Sequence, residues 1–184
     1  NKVKEAQKPA PKPAPAPAKP RAEVYGFLQS QFESTDGQHK SSFLVRRARI
    51  GVRGTLDNHF NYAILNSFED GANGANTSGV IRNAFIEYTG FRQRSSTPVL
   101  RFGQFKNAYS LEALEDAAKT PFVERGIAVE KLAVNHDRDM GIGFYTPENS
   151  HRPYAYNISL MNGSGRNRPN ASGNKLFTAR LQLN

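Results

Sequence analysis

From Ala22 to the end of the chain, apolar and polar residues alternate in short runs separated by turn residues, a period of two that extended strands produce and helices do not. Val24, Gly26, Leu28, Ser30 and Phe32 alternate with Tyr25, Phe27, Gln29, Gln31 and Glu33, and Thr35, Asp36 and Gly37 stop the run. In the second run, Leu44, Ala48, Ile50, Val52 and Leu56 are assigned to one face, interrupted by Arg46 near an end. Val45, Arg47, Arg49, Gly51, Arg53 and Thr55 take the other, and Asp57 and Asn58 form a tight turn. Further apolar faces follow at Phe60, Tyr62, Ile64 and Phe68; at Ala84, Ile86 and Tyr88; at Leu100 and Phe102; and at Met140, Ile142 and Phe144. Tyr154, Tyr156, Ile158 and Leu160, and then Phe177, Ala179, Leu181 and Leu183, complete about eight antiparallel strands. Connections alternate, imperfectly, between short and long.

The period changes once. Val99 to Phe105 reads as a strand, but from Ser110 the spacing is helical, with Leu111 and Leu114 on one face and Glu112 and Glu115 beside them. Ser110 is placed to cap the first free amides, and Thr120, Pro121 and Glu124 start a second short turn. A helical insert of about twenty residues between strands is long for a hairpin connection and implies a function for it. Lys119 complements a helix end in the plain reading. Arg125 pairs with Glu124, or with Glu112, Glu115 and Asp116, to hold the insert in shape.

Residues 1–21 differ in kind. Lys2, Lys4, Lys8, Lys12, Lys19 and Arg21 stand against Glu5 alone, and KPAPKPAPAPAKP has no core-forming residue, so the segment is expected to be an extended linker. A polyanion-binding arm touching cell wall or lipid headgroups is the minority reading. Net charge over the chain is +9 and cysteine is absent, which removes thiolate metal sites and disulfides. No run approaches the apolar length of a membrane helix, a statement silent on alternating strands, which cross a bilayer as closed barrels without raising mean hydropathy. No metal-ligand spacing, nucleophile elbow or phosphate-cradling glycine loop occurs, and Asn135 to Asp139 reads as a turn entering a strand. An enzyme, a cofactor and a nucleic-acid partner are therefore not expected.

The pattern leaves one question open: which face meets water. In a soluble two-sheet sandwich, Arg47, Arg49, Arg53, Arg101 and Arg180 decorate the outside. In a barrel they line a wet interior and favour anions there. In the barrel, Tyr88, Tyr154 and Tyr156 suit an interfacial girdle.

The segments RRARIGVRGTL, IRNAFIEYTGF, LRFGQFKNAYSLE, TPFVER and LMNGSGRN, in that order and approximate spacing, resemble the phosphate-selective porin O and P family of bacterial outer membranes, over about Ala22 to Asn184. The resemblance implies an all-β antiparallel transmembrane β-barrel, trimeric and of about sixteen strands, with the insert after the fifth strand folded inside as a constriction loop. About eight strands is half of that, so the chain is expected to be the N-terminal part of a larger barrel, residues 22–184, with 1–21 as a periplasmic linker. The implied function is passive diffusion of small anions, phosphate foremost, past Arg47, Arg49, Arg53, Arg101 and Arg180. Lys119, Arg125, Glu112 and Glu115 lie in the constriction loop, lipid surrounds the barrel, and three copies assemble. The alternative is a general porin, or an anchor tethered to the cell wall by residues 1–21.

Overall fold

A computed structural model describes residues 19–35, 40–68, 80–91, 98–120, 126, 127, 129, 138–146 and 153–183. Its elements are β1 (Arg21–Thr35), β2 (Lys40–Thr55), β3 (Phe60–Ser67), β4 (Val80–Tyr88), β5 (Val99–Lys106), α1 (Leu111–Leu114), β6 (Arg138–Tyr145), β7 (Tyr154–Met161) and β8 (Leu176–Leu183). The strands form one sheet in the order β1-β2-β3-β4-β5-β6-β7-β8, every neighbouring pair antiparallel. A two-sheet sandwich is thereby excluded for these residues: each strand pairs with its chain neighbour, and no second sheet lies opposite.

The two faces invert the usual rule of burial. Leu28 is 70% exposed and Phe43 86%, and Val24, Ile50, Ile64, Ile86, Phe102, Ile142, Phe144, Ile158 and Leu181 share their face. The opposite face carries the polar residues and is the more covered of the two, with Arg47, Ser67 and Ser159 buried there. A continuous apolar surface of this kind is not stable against water.

One assignment in β2 is corrected. The β1–β2 register runs Gln29 with Arg47 but Ser30 with Val45, so Arg46 is an extra residue in a β-bulge. The bulge reverses the parity beyond it. Phe43 and Val45, not Leu44, therefore share the apolar face with Ala48, Ile50 and Val52, and Phe43 stacks on Phe32 with ring centroids 4.9 Å apart. A second register shift lies between Leu65 and Asn66, opposite Arg82 in β4.

Connections 56–59, 89–98 and 146–153 lie at the end of the sheet where β1 begins; 36–39, 68–79, 107–137 and 162–175 lie at the other. Near the first end Tyr88 packs against Phe60 at 5.1 Å and edge-on to Phe91 at 4.8 Å. In the tightest turn, Asp57 Oδ1 accepts from the backbone N–H groups of His59 (2.7 Å) and Phe60 (2.8 Å). These bonds favour the ionised carboxylate and hold its pKa below the ordinary value.

A small apolar cluster sits on the polar face: Val99, Phe105, Tyr145 and Met161, with Phe85 and Leu176 against it. Glycine makes room for it. Gly103 has φ +126°, and a Cβ there would stand 2.3 Å from the Ala84 carbonyl oxygen. At Gly143 a Cβ would meet Phe105 Cζ at 3.2 Å.

Two outcomes are expected. Ile64→Arg should destabilise the folded sheet in lipid by about 2–4 kcal/mol, as measured by denaturant titration in bilayers, because a lipid-facing charge near mid-membrane costs that much; a water-facing site would shift by less than about 0.5 kcal/mol. The contribution of Asp57, whose folded pKa is depressed, is present in full above its unfolded pKa and is lost as pH falls through the lower folded value. Asp57→Asn should therefore lower thermal stability at neutral pH, and the gap from wild type should close in the acid range, below about pH 4.

Candidate functional site

Strand β2 sets Arg47, Arg49 and Arg53 at alternate positions on the polar face, each opposed by a residue of β1 that fixes its head. Arg47 is 7% exposed and donates from Nη1 to Gln29 Oε1 at 2.6 Å. The Arg49 guanidinium lies 5.3 Å from the centre of the Phe27 ring. Arg53 forks onto Glu23, Nε to Oε2 and Nη2 to Oε1, both 3.1 Å, and lies 5.0 Å from the Tyr25 ring. A fork of this kind matches a planar anion, and here a strand carboxylate occupies it.

Arg101 of β5 is held more tightly. Its Nε donates to Glu87 Oε1 at 2.8 Å and its Nη2 reaches the same oxygen. Its guanidinium lies 3.9 Å from the Phe85 ring centre and 4.3 Å from that of Tyr145, with Phe105 at 5.5 Å. Stacked on aromatic rings and salt-bridged, this arginine braces β4 against β5 and β6. Arg180 of β8 shares the face opposite Asn157 and donates from Nη2 to Gln182 at 3.1 Å; its Nη1 is buried. The five arginines thus share one face but form no single cluster: β2 and β5 are three strands apart, about 14 Å at the usual strand spacing.

The insert after β5 begins as its spacing predicts, with Ser110 Oγ accepting from Ala113 N at 3.0 Å as an N-cap. The helix α1 is only four residues long; Asn107, Ala108, Ala113 and Ala117 are buried, with Leu114 half-buried. A turn follows, in which Asp116 Oδ1 accepts from Ala118 N at 3.1 Å. Thr120 donates from its hydroxyl to Ala117 O, closing the turn before it; residues 121–125, and so Pro121, Glu124 and Arg125, lie outside the described residues. Glu112 Oε1 accepts from Gly126 N at 2.7 Å and Tyr109 OH donates to Val129 O at 3.0 Å, so the insert is pinned across itself twice. Lys106, at the end of β5, donates to the carbonyls of Leu114 (2.9 Å) and Glu115 (2.6 Å). It fills the helix-end role assigned to Lys119, which is exposed, as is Glu115. Asp116, in the turn after α1, carries a charge felt weakly at Tyr25 and Arg53 on the polar face.

Three polar residues that the alternation pattern did not single out are buried at the root of the insert: Gln104, Arg138 and Asp139. Arg138 donates from Nε to Asn83 Oδ1 at 2.9 Å. Asp139 accepts from Gly163 N, and Gln104 Oε1 accepts from Asn167 N at 2.7 Å, joining the 162–175 connection to β5 and β6. A signal did exist in the sequence for Gln104, a polar residue that interrupts the apolar rhythm of Leu100 and Phe102; Asp139, at the end of the polar run from Asn135, gave none.

A run of antiparallel hairpins with one apolar and one charged face, carrying a braced insert after the fifth strand, fits a membrane β-sheet protein of the porin class. The sequence matches the family phosphate-selective porin O and P over residues 23–181, and the chain belongs to that family. It is a family of bacterial outer-membrane channels, not of enzymes. No individual curated protein matches the chain.

Arg53 and Arg101, each bound to a carboxylate, should separate in unfolding experiments. With side chains 55% and 63% exposed, Arg53 and Glu23 form a pair that solvent screens and that adds little to stability. Arg101 and Glu87, at 23% and 16%, leave an unpaired charge among aromatic rings when either is cut. Arg101→Ala should destabilise by about 2–4 kcal/mol and Arg53→Ala by far less.

Proposed function

We propose that this porin passes small solutes by passive diffusion along the polar face of the sheet, with a preference for anions and with phosphate or related oxyanions as its principal solutes. The observation that supports this reading is that Arg47, Arg49, Arg53, Arg101 and Arg180 fall on one face of the sheet, with the charge of Asp116 in the insert felt at Arg53. Guanidinium groups along a confined wet path raise the local anion concentration and offer forked donors to oxyanions. The 110–126 insert, with Lys119, Arg125, Glu112 and Glu115, narrows that path. Outer-membrane lipid covers the apolar face, the sheet closes with further strands into a barrel, and three such barrels assemble. Residues 1–21 lie on the periplasmic side, because Arg21 starts β1 at the end with connections 56–59, 89–98 and 146–153.

A second reading, a general porin with weak preference, is favoured by the carboxylates on Arg53 and Arg101, which offset two of the five charges. Reversal potential across a planar bilayer in a KCl gradient separates the two. The expected result is anion preference, chloride current blocked by added phosphate, and both effects weakened by Arg47→Ala together with Arg49→Ala. Cation preference, or a current indifferent to phosphate and to both substitutions, would sink the anion pathway.

A further inference from the structure

The insert is braced within itself. Tyr109 to Val129, Glu112 to Gly126 and Lys106 to the carbonyls of Leu114 and Glu115 leave little freedom between its near and far parts. These bonds tie the described part of the insert to the end of β5, so where Asp116 lies depends on the angle at which the chain leaves β5.

The root of the insert is the register pair Lys106 and Arg138, and the residues just inside it are Gln104 and Asp139. Gln104 is 3% exposed and every polar group it has is used. Its Nε2 donates to Ile81 O (2.7 Å) and Arg82 O (3.1 Å), and its Oε1 accepts from Asn167 N (2.7 Å). The register between β4 and β5 ends at Ala84 and Gln104, next to the register shift at Arg82, and the Gln104 amide carries the connection further along β4. Asp139 is 0% exposed; its Oδ1 accepts from Met140 N at 2.7 Å and its Oδ2 from Gly163 N. Asn162 N donates to Met140 O at 2.8 Å, and Asn167, at φ +55°, reaches Ile81 O with its side-chain amide at 3.2 Å. The first part of the 162–175 connection is thus fastened across the ends of β4, β5 and β6, where the insert is rooted.

We propose that Gln104 and Asp139 are positioning residues for the solute pathway: by fastening the 162–175 connection to the root of the insert, they fix the insert's angle and hence the width left beneath it. Neither touches the solute. Their substitution alters how the channel conducts, not only whether it folds. This inference rests on the reading that the insert lies in the conducting path, and that premise is tested separately.

Because the chain has no cysteine, Asp116→Cys introduces a unique thiol. A cationic methanethiosulfonate reagent applied to channels in a planar bilayer should change their current if the insert lines the path. An unchanged current overturns the pathway reading and this inference with it. Given a response, Gln104→Ala is compared with wild type for single-channel conductance, open-channel noise and rate of thiol modification in the Asp116→Cys background. The expectation is a roughly twofold change in conductance, noisier openings and a changed modification rate among channels that have inserted. Asp139→Asn keeps the shape and removes the charge, and it should give the same signature if Gln104→Ala yields too few channels. Wild-type conductance, noise and modification rate in inserted channels, with only the folded yield reduced, would overturn the positioning role while leaving the anion pathway standing.

Discussion

The structure depends on one constraint: backbone N–H and C=O groups on strands with an apolar outer face must find partners within the sheet, because lipid supplies none. Nearest-neighbour antiparallel pairing meets it from β1 through β8, and register then dictates everything else. Once Gln29 opposes Arg47, the period of two sends Phe27, Arg49, Glu23 and Arg53 to one face and Leu28, Ile50 and Val52 to the other. Where the ladder is interrupted, a side chain extends it, as the Gln104 amide does by donating to the carbonyls of Ile81 and Arg82.

The charged face is also internally organised. Arg101 and Arg53 have the same residue type and both hold a carboxylate, yet their surroundings give them different work. Rings on several sides and low exposure make the Arg101 pair part of the framework. The Arg53 pair is open to solvent and within reach of the charge of Asp116. A row of like charges can stand on one strand because each has a partner opposite it on β1: an amide for Arg47, a ring for Arg49, a carboxylate and a ring for Arg53.

Much of this was legible from the sequence, and for a physical reason. Alternation reports which side of a pleated strand a residue occupies, so the eight strands and the shared face of the five arginines could be read from the period alone. Ser110 was legible as a cap because capping is local. Alternation fails at a bulge, since an extra residue leaves no mark in composition; Leu44 and Val45 were therefore exchanged around Arg46. Nor does it report contacts between distant segments. The bonds from Gln104 to Asn167 and from Asp139 to Gly163 connect loops that only the folded register brings together. Helix-end chemistry went to Lys106 instead of Lys119 because the chain doubles back on the strand that launched it.

The pins inside the insert have a consequence for how the chain reaches its fold. Zipping a sheet of sequential hairpins requires only local closures, and the entropic penalty of each rises with the logarithm of the segment enclosed. Joining β6 to β5 across about thirty residues is dearer than joining β3 to β2 across 56–59 by about 2 kcal/mol on that scaling. If the contacts of Glu112 with Gly126 and of Tyr109 with Val129 form first, most of the segment is already drawn together, and the span left to close shrinks to two residues on one side and eight on the other. The same bonds that stiffen the insert in the finished protein then act as a splint during assembly, letting the longest connection close nearly as readily as a short turn.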